Sequence, residues 1–289
     1  MPVDVLSVTL RASSFLTLFQ AAGIALFLAL REQQLPNSER ALRRIGTDAA
    51  LVAASLLLAQ YFLEAARMSG ELGGILDPTL QGIVMHSAGS VALSARLLGL
   101  LLIVGSLRRT VTGGRTVGII GVVVLLTSFT LVGHTAKDPL RWLLSPVLLA
   151  HLAVVAFWYG ALLPLYLVSA REPPETAGSV VQQFSARAVW LVPALLLAGL
   201  VLAAVLLPNL SALHRPYGEL LIAKVVGFCA LMLFAALNRW RFGPALQRGG
   251  RGAARRFQRV VAIEFVLLAA ILCVTAVMTT FYSPEGTGS

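Results

Sequence analysis

The stretch WLLSPVLLAHLAVVAFWYGALLPLYLV, residues 142–168, decides the fold because it contains no Asp, Glu, Lys or Arg. At a rise of about 1.5 Å per residue, a helix of this length crosses a hydrocarbon core of about 30 Å. Its apolar residues form one continuous block and do not alternate as they would in a half-buried strand. We therefore predict a membrane-spanning helix here.

Seven further blocks of the same kind occur along the chain. The chain is 57% hydrophobic and only 12% charged, whereas a soluble domain carries about 25% charged residues. Span 1 has no small-residue cleavage site after it, so we expect a retained helix and not a signal peptide. We predict an all-α polytopic membrane protein, a bundle of eight transmembrane helices at about 5–30, 46–66, 86–107, 116–134, 142–168, 184–207, 217–238 and 257–281.

The basic residues indicate the orientation of this bundle. The formal net charge is +10, but the arginines lie in short loops between apolar blocks, which argues against a nucleic-acid interface. The loops after spans 1, 3, 5 and 7, with their flanking ends, hold sixteen basic residues, and the loops on the other side hold four. Because positive charge is retained on the cytoplasmic side, we expect both termini to be periplasmic.

All four histidines fall in the outer half of the predicted bundle. His86 begins span 3, His134 ends span 4, His151 lies about nine residues into span 5, and His214 is in an outer loop. Met85 precedes His86, and imidazole with thioether is a ligand set suited to copper. A histidine in an apolar helix also commonly bonds a backbone carbonyl, and that alternative stays open.

Three spans carry charged side chains at membrane depth. Arg96, Lys224 and Glu264 each lie within an apolar helix, where an unpaired charge costs several kcal/mol. Lys224 and Glu264 could form an ion pair between spans 7 and 8. Such a pair would either hold the bundle together or serve transport, and both interpretations remain.

Several of these stretches together resemble the CopD/PcoD family of copper-resistance membrane proteins. GHTAKDP followed by HLAVVAFWYGALLPL resembles the family's Gly-His turn and its His/Trp/Gly helix. PYGELLIAKVVGFCALMLFAALNR is similar to its pattern of Tyr-Gly, an intramembrane Lys and Asn-Arg. The matching positions are Gly133, His134, His151, Trp158, Gly160, Lys224, Asn238 and Glu264.

The resemblance implies an eight-helix protein of the bacterial inner membrane that handles copper ions. It also implies a periplasmic copper-binding partner of the CopC type. Within a single transmembrane domain over 1–289, we expect five N-terminal helices over 1–169, including the His134 and His151 region. A CopD-like core of three helices is expected over 184–281.

These observations lead to a hypothesis of copper movement from the periplasm across the membrane. The expected metal ligands are His134, His151, His86 and Met85, and the expected polar interior comprises Arg96, Lys224, Glu264, Asn238 and Trp158. Two alternatives stay open: a haem-binding electron-transfer subunit, and a copper-binding assembly factor that transports nothing. No nucleophile–base pair or open zinc motif appears, so we expect no enzymatic activity and no catalytic residues.

Overall fold

The computed structural model describes residues 2–31, 34–110, 112–206, 214–250 and 252–282, apart from the side chains of Pro2, His134 and Leu206. All regular secondary structure in these ranges is helical. The α-helices are α1 (Pro2–Leu30), α2 (Glu39–Ser69), α3 (Pro78–Met85), α4 (Ala88–Arg108), α5 (Gly114–Thr127), α6 (His134–Lys137), α7 (Arg141–Arg171), α8 (Pro174–Leu206), α9 (Pro216–Leu237), α10 (Gly243–Gln247) and α11 (Ala253–Phe281).

Eight of these elements are long and apolar enough to cross a membrane, which confirms the predicted all-α architecture with eight spans. They are α1, α2, α4, α5 with the 3-10 turn that follows it, α7, α8, α9 with its extension through α10, and α11. Several helices extend beyond the predicted apolar blocks. α2 begins at Glu39 and α8 at Pro174, because their polar first turns continue the same helices.

The connection between α2 and α4 is itself helical. Gly70, with φ +78°, ends α2 in the left-handed conformation that favours glycine. A 3-10 turn over Leu72–Leu76 follows, and the side chain of Asp77 then accepts hydrogen bonds from the backbone N–H groups of Thr79 and Leu80. This N-cap starts α3, which carries Met85 at its end.

α1 and α7 form the centre of the bundle, and close glycine contacts bring their backbones together. Gly23 of α1 lies against Gly160 of α7, and Gly99 of α4 lies against Gly121 of α5 in the same manner. Small residues allow this approach between membrane helices, where packing provides much of the association energy. The side chain of Gln20 adds a hydrogen bond to the Gly160 carbonyl at 3.2 Å.

α9 is held differently from the central helices. It packs along α11 and makes little contact with α8, its neighbour in sequence. At its C-terminal end it continues into one turn of π-helix over Asn238–Phe242 and then into α10, which packs on α8. The basic loop after span 7 therefore begins with a short helix that the apolar pattern alone does not predict.

One carboxylate joins three arginines at the predicted cytoplasmic end of the N-terminal helices. Glu39, at the start of α2, accepts hydrogen bonds from Arg31, Arg43 and Arg109. Arg43 also donates to the carbonyls of Ser106 and Leu107 in the last turn of α4. This network ties α1, α2 and α4 together at one end.

Candidate functional site

His151 lies on the face of α7 that packs against α8. Its ring makes a hydrogen bond with the backbone of Leu195, while its Nδ1 atom is buried and has no hydrogen-bond partner among the described residues. We assign this bond to Nε2–H because Nδ1 has no partner, and in that tautomer the lone pair of Nδ1 is available. Gly199, one turn after Leu195, faces the ring: a Cβ atom there would be 3.8 Å from Nδ1.

Lys224 of α9 is the charged side chain that acts electrostatically on the imidazole of His151. It is close enough for its charge to act on the His151 ring. The possible ion pair with Glu264 does not form, since Lys224 makes no salt bridge with an acidic side chain in the described part of the chain. A cation beside a vacant imidazole nitrogen weakens the binding of a second cation there.

Trp158 continues the same face of α7 toward the predicted cytoplasmic side. It lies seven residues after His151, which is two helical turns or about 10 Å along the axis. Its ring meets Phe228 of α9 edge to face, with centroids 6.4 Å apart. The indole also makes a hydrogen bond with the carboxyl group of Glu264. Trp158 thus lies between His151 and Glu264 along the bundle.

Glu264 of α11 is buried, with 3% of its surface exposed. Instead of pairing with Lys224, it accepts a hydrogen bond from Nδ2 of Asn238. Asn238 begins the π-helical turn, and π-turns within helices frequently mark functional positions. The Oδ1 atom of Asn238 is also buried and has no partner in the described ranges.

Five of the predicted positions therefore lie on neighbouring faces of α7, α9 and α11. His151 and Lys224 form the outer level, Trp158 the middle one, and Glu264 with Asn238 the inner one. The sequence indicated each of them as a polar or aromatic residue in an apolar span. We name this set, together with Gly199 and Phe228, the polar column.

Arg96 lies outside the polar column. Its Nε donates a hydrogen bond to the hydroxyl of Ser128 at 3.1 Å, and its guanidinium lies 4.5 Å from the centre of the Phe129 ring. Phe129 stacks in turn on Phe19 of α1. Arg96 of α4 therefore has its partners in the 3-10 turn after α5, beside α1. Among the described contacts, none joins it to Lys224 or Glu264.

Met85 and His86 lie at the connection between α3 and α4, on the side of the bundle predicted to be periplasmic. Met85 is exposed, and Nδ1 of His86 is 2.8 Å from the carbonyl oxygen of Gly82 in the preceding turn. His134 begins the short helix α6, and its side chain lies outside the described part of the structure. Its predicted approach to His151, which is ten residues into α7, stays a prediction.

Two residues of the polar column were missed at the level of sequence. Gly199 is a single glycine in an apolar span, and only the packing of α8 on α7 places it opposite His151. Phe228 follows Lys224 by four residues and so shares its face of α9. That spacing is a signal the sequence offers for Phe228, whereas the sequence alone offers no comparable signal for Gly199.

Chemically, the polar column presents isolated donor atoms at separate depths. No group of three or more His, Cys, Asp or Glu side chains among the described residues could hold a metal ion. An isolated imidazole nitrogen binds an ion weakly, and weak successive contacts allow an ion to leave as well as enter. The arrangement is suited to transit more than to permanent storage.

Comparisons with known proteins address the chain as a whole. A family model described as Copper resistance protein D matches residues 178–278. A second, described as Copper resistance protein D-like, N-terminal domain, matches residues 1–142. No curated protein and no solved structure matches the chain.

Proposed function

Because the chain belongs to the copper resistance protein D family, we propose that this multi-pass membrane protein moves copper ions across the bacterial inner membrane. The ions enter from the periplasmic side. The distribution of arginines assigns the arginine-poor ends of the helices to this side. The protein acts as a conduit and not as an enzyme. Copper is its cargo, bound only in passing.

The observation that carries this proposal is the buried, unpartnered Nδ1 atom of His151. The hydrogen bond to the Leu195 backbone orients the ring, as backbone carbonyls commonly do for metal-binding imidazoles. Imidazole nitrogen accepts copper in either oxidation state. Lys224 supplies the repulsion that keeps the ion from being trapped at His151.

Met85 and His86 support capture at the outer surface. Met85 and His86 are both exposed, and the His86 ring bonds Gly82 through Nδ1, so its Nε2 is the nitrogen left for copper. In this proposal a periplasmic copper-binding protein of the CopC type delivers the ion there. His134 relays it to His151, and the ion then passes Trp158 toward Glu264 and Asn238.

Copper uptake into proteoliposomes tests the proposal. We expect His151→Ala to reduce the initial rate at least tenfold, whereas His214→Ala, a matched change of an exposed outer histidine, leaves the rate unchanged. Both variants should elute as the wild type does on size exclusion. Equal rates in wild type and His151→Ala would overturn the assignment of His151.

The same preparations separate the two alternatives. Copper binding without flux in the wild type would identify an assembly factor that does not transport copper. A Soret band in the purified protein, with no copper bound, would identify a haem-binding electron-transfer subunit. Either result would contradict transport.

A further inference from the structure

The buried carboxyl group of Glu264 has no cationic partner in the described part of the chain. Its Oε1 atom accepts a hydrogen bond from Nδ2 of Asn238, and the Trp158 indole also bonds the carboxyl group. Two neutral donors stabilise a carboxylate only in part, because a buried charge without a counter-ion remains costly. The site therefore holds its negative charge at a substantial cost in free energy.

Asn238 allows the same pair to accommodate a protonated carboxyl group. A side-chain amide carries two donors on nitrogen and an acceptor on oxygen. The Oδ1 atom of Asn238 is buried and unpartnered. Rotation of the amide by about 180° would place this oxygen toward Glu264, where a carboxylic acid O–H could donate to it. The pair can thus satisfy Glu264 with or without a proton.

In the described part of the chain, Glu264 is the titratable side chain that hydrogen-bonds Asn238. Other titratable side chains lie on the helices that pack around this pair. α7 contributes Trp158 and also Tyr159, whose ring stacks on Phe265 at 5.0 Å. α10 has no titratable side chain, and α1 carries charge only at its outer end, at Asp4 and Arg11. The remaining titratable groups on the packed helices are Arg141, His151, Tyr166 and Arg171 of α7, Tyr217, Glu219, Lys224 and Cys229 of α9, Arg239 and Arg241 of the π-turn, and Arg255, Arg256, Arg259 and Cys273 of α11.

We propose that the Glu264–Asn238 pair is a proton-binding site and that copper entering the polar column displaces its proton. A cation approaching along Trp158 favours the carboxylate, because charges interact strongly where water is excluded. The entering ion then takes over the positive charge that the proton supplied. The displacement step rests on the proposed copper transport, whereas the proton site itself does not.

Infrared difference spectroscopy of the full-length protein in nanodiscs tests the proton site without copper. A pH step should produce a carboxylic acid C=O band that disappears in Glu264→Gln. The matched variant Glu175→Gln, which alters an exposed carboxylate on α8, should retain the band. Asn238→Leu should shift its frequency, because one hydrogen-bond partner is lost. A spectrum identical in wild type and Glu264→Gln would overturn the proton site.

Proton release on copper addition, followed with a pH dye in weak buffer, tests the displacement. We expect about one proton released per copper bound by the wild type and by Glu175→Gln. In Glu264→Gln, the number of protons released per copper bound should fall close to zero. Undiminished release from Glu264→Gln, or loss of release in Lys224→Met, would overturn the displacement step. If the wild type binds no copper, the transport proposal fails, and the infrared result still decides the proton site.

Discussion

Gly23 of α1 and Gly160 of α7 lie backbone against backbone at the centre of the bundle. A Cβ atom on Gly160 would come within 2.2 Å of the Cα atom of Gly23, and one on Gly23 would come within 2.3 Å of the Cα atom of Gly160. Gly160 is two residues beyond Trp158, so this crossing positions the helix that carries Trp158 and His151.

Gly160→Ala should therefore destabilise the protein. The added methyl group meets backbone atoms, which cannot move aside as a flexible side chain would, so α1 and α7 must separate. We expect a loss of about 1–3 kcal/mol in the free energy of unfolding, measured in detergent micelles. Gly82→Ala on α3 is the control, because a Cβ atom there meets nothing within 4 Å. Equal stability of the two variants would contradict the close crossing.

Gly199 provides a steric test of access to His151. A Cβ atom at this position lies 3.6 Å from Cε1 of the ring, an ordinary contact, so Gly199→Ala should bind copper normally. The longer side chain in Gly199→Leu should cover Nδ1 and weaken copper binding by about tenfold or more, the equivalent of about 1.4 kcal/mol. Equilibrium competition against a copper chelator measures both affinities. Normal binding by Gly199→Leu would show that Nδ1 is not the ligand atom.

Glu39→Gln tests the network at the inner end of the N-terminal helices. The carboxylate accepts hydrogen bonds from three arginines, so its neutralisation removes the negative charge that these three positive charges share. Because the side chain of Glu39 is 19% exposed and solvent screens part of the repulsion, we expect a loss of about 1–2 kcal/mol in unfolding free energy.

The control for that network is Asp48→Asn, which removes the exposed pair between Arg44 and Asp48. A surface pair of this kind contributes little, and the change should stay below about 0.5 kcal/mol. Thermal unfolding of both variants in the same detergent gives the comparison. If Asp48→Asn is the more damaging change, the Glu39 network does not carry the stability assigned to it.

The orientation can be tested with single cysteines. After replacement of Cys229 and Cys273 by alanine, Gly82→Cys should react with a membrane-impermeant maleimide added to intact spheroplasts. Glu175→Cys should react only after the membrane is permeabilised, because it lies on the arginine-rich side. The reverse labelling pattern would place both termini in the cytoplasm and would contradict the proposed entry side for copper.

Hydropathy alone predicts the eight spans. Each span needs a continuous apolar block to cross the lipid, and this requirement does not depend on which helices pack against it. The partners of the polar residues depend instead on helix packing, which residue spacing does not determine. Glu264 is recognisable as a charge in an apolar span, yet its partner Asn238 is 26 positions away and is presented by a π-turn. Arg96 has the same pattern in sequence, but Ser128 and Phe129 satisfy it elsewhere in the bundle.

The one-sided packing of α9 has a mechanical consequence. This helix rests on α11 and hardly touches α8, and a π-turn interrupts its regular hydrogen bonding at Asn238. A tilt of α9 about that turn would meet little resistance from α8 and would move Lys224 and Phe228 relative to α7 in one movement. Asn238, the first residue of this turn, is also the hydrogen-bond partner of Glu264, so we expect a change in the protonation of that carboxyl group to act at the point about which α9 would tilt.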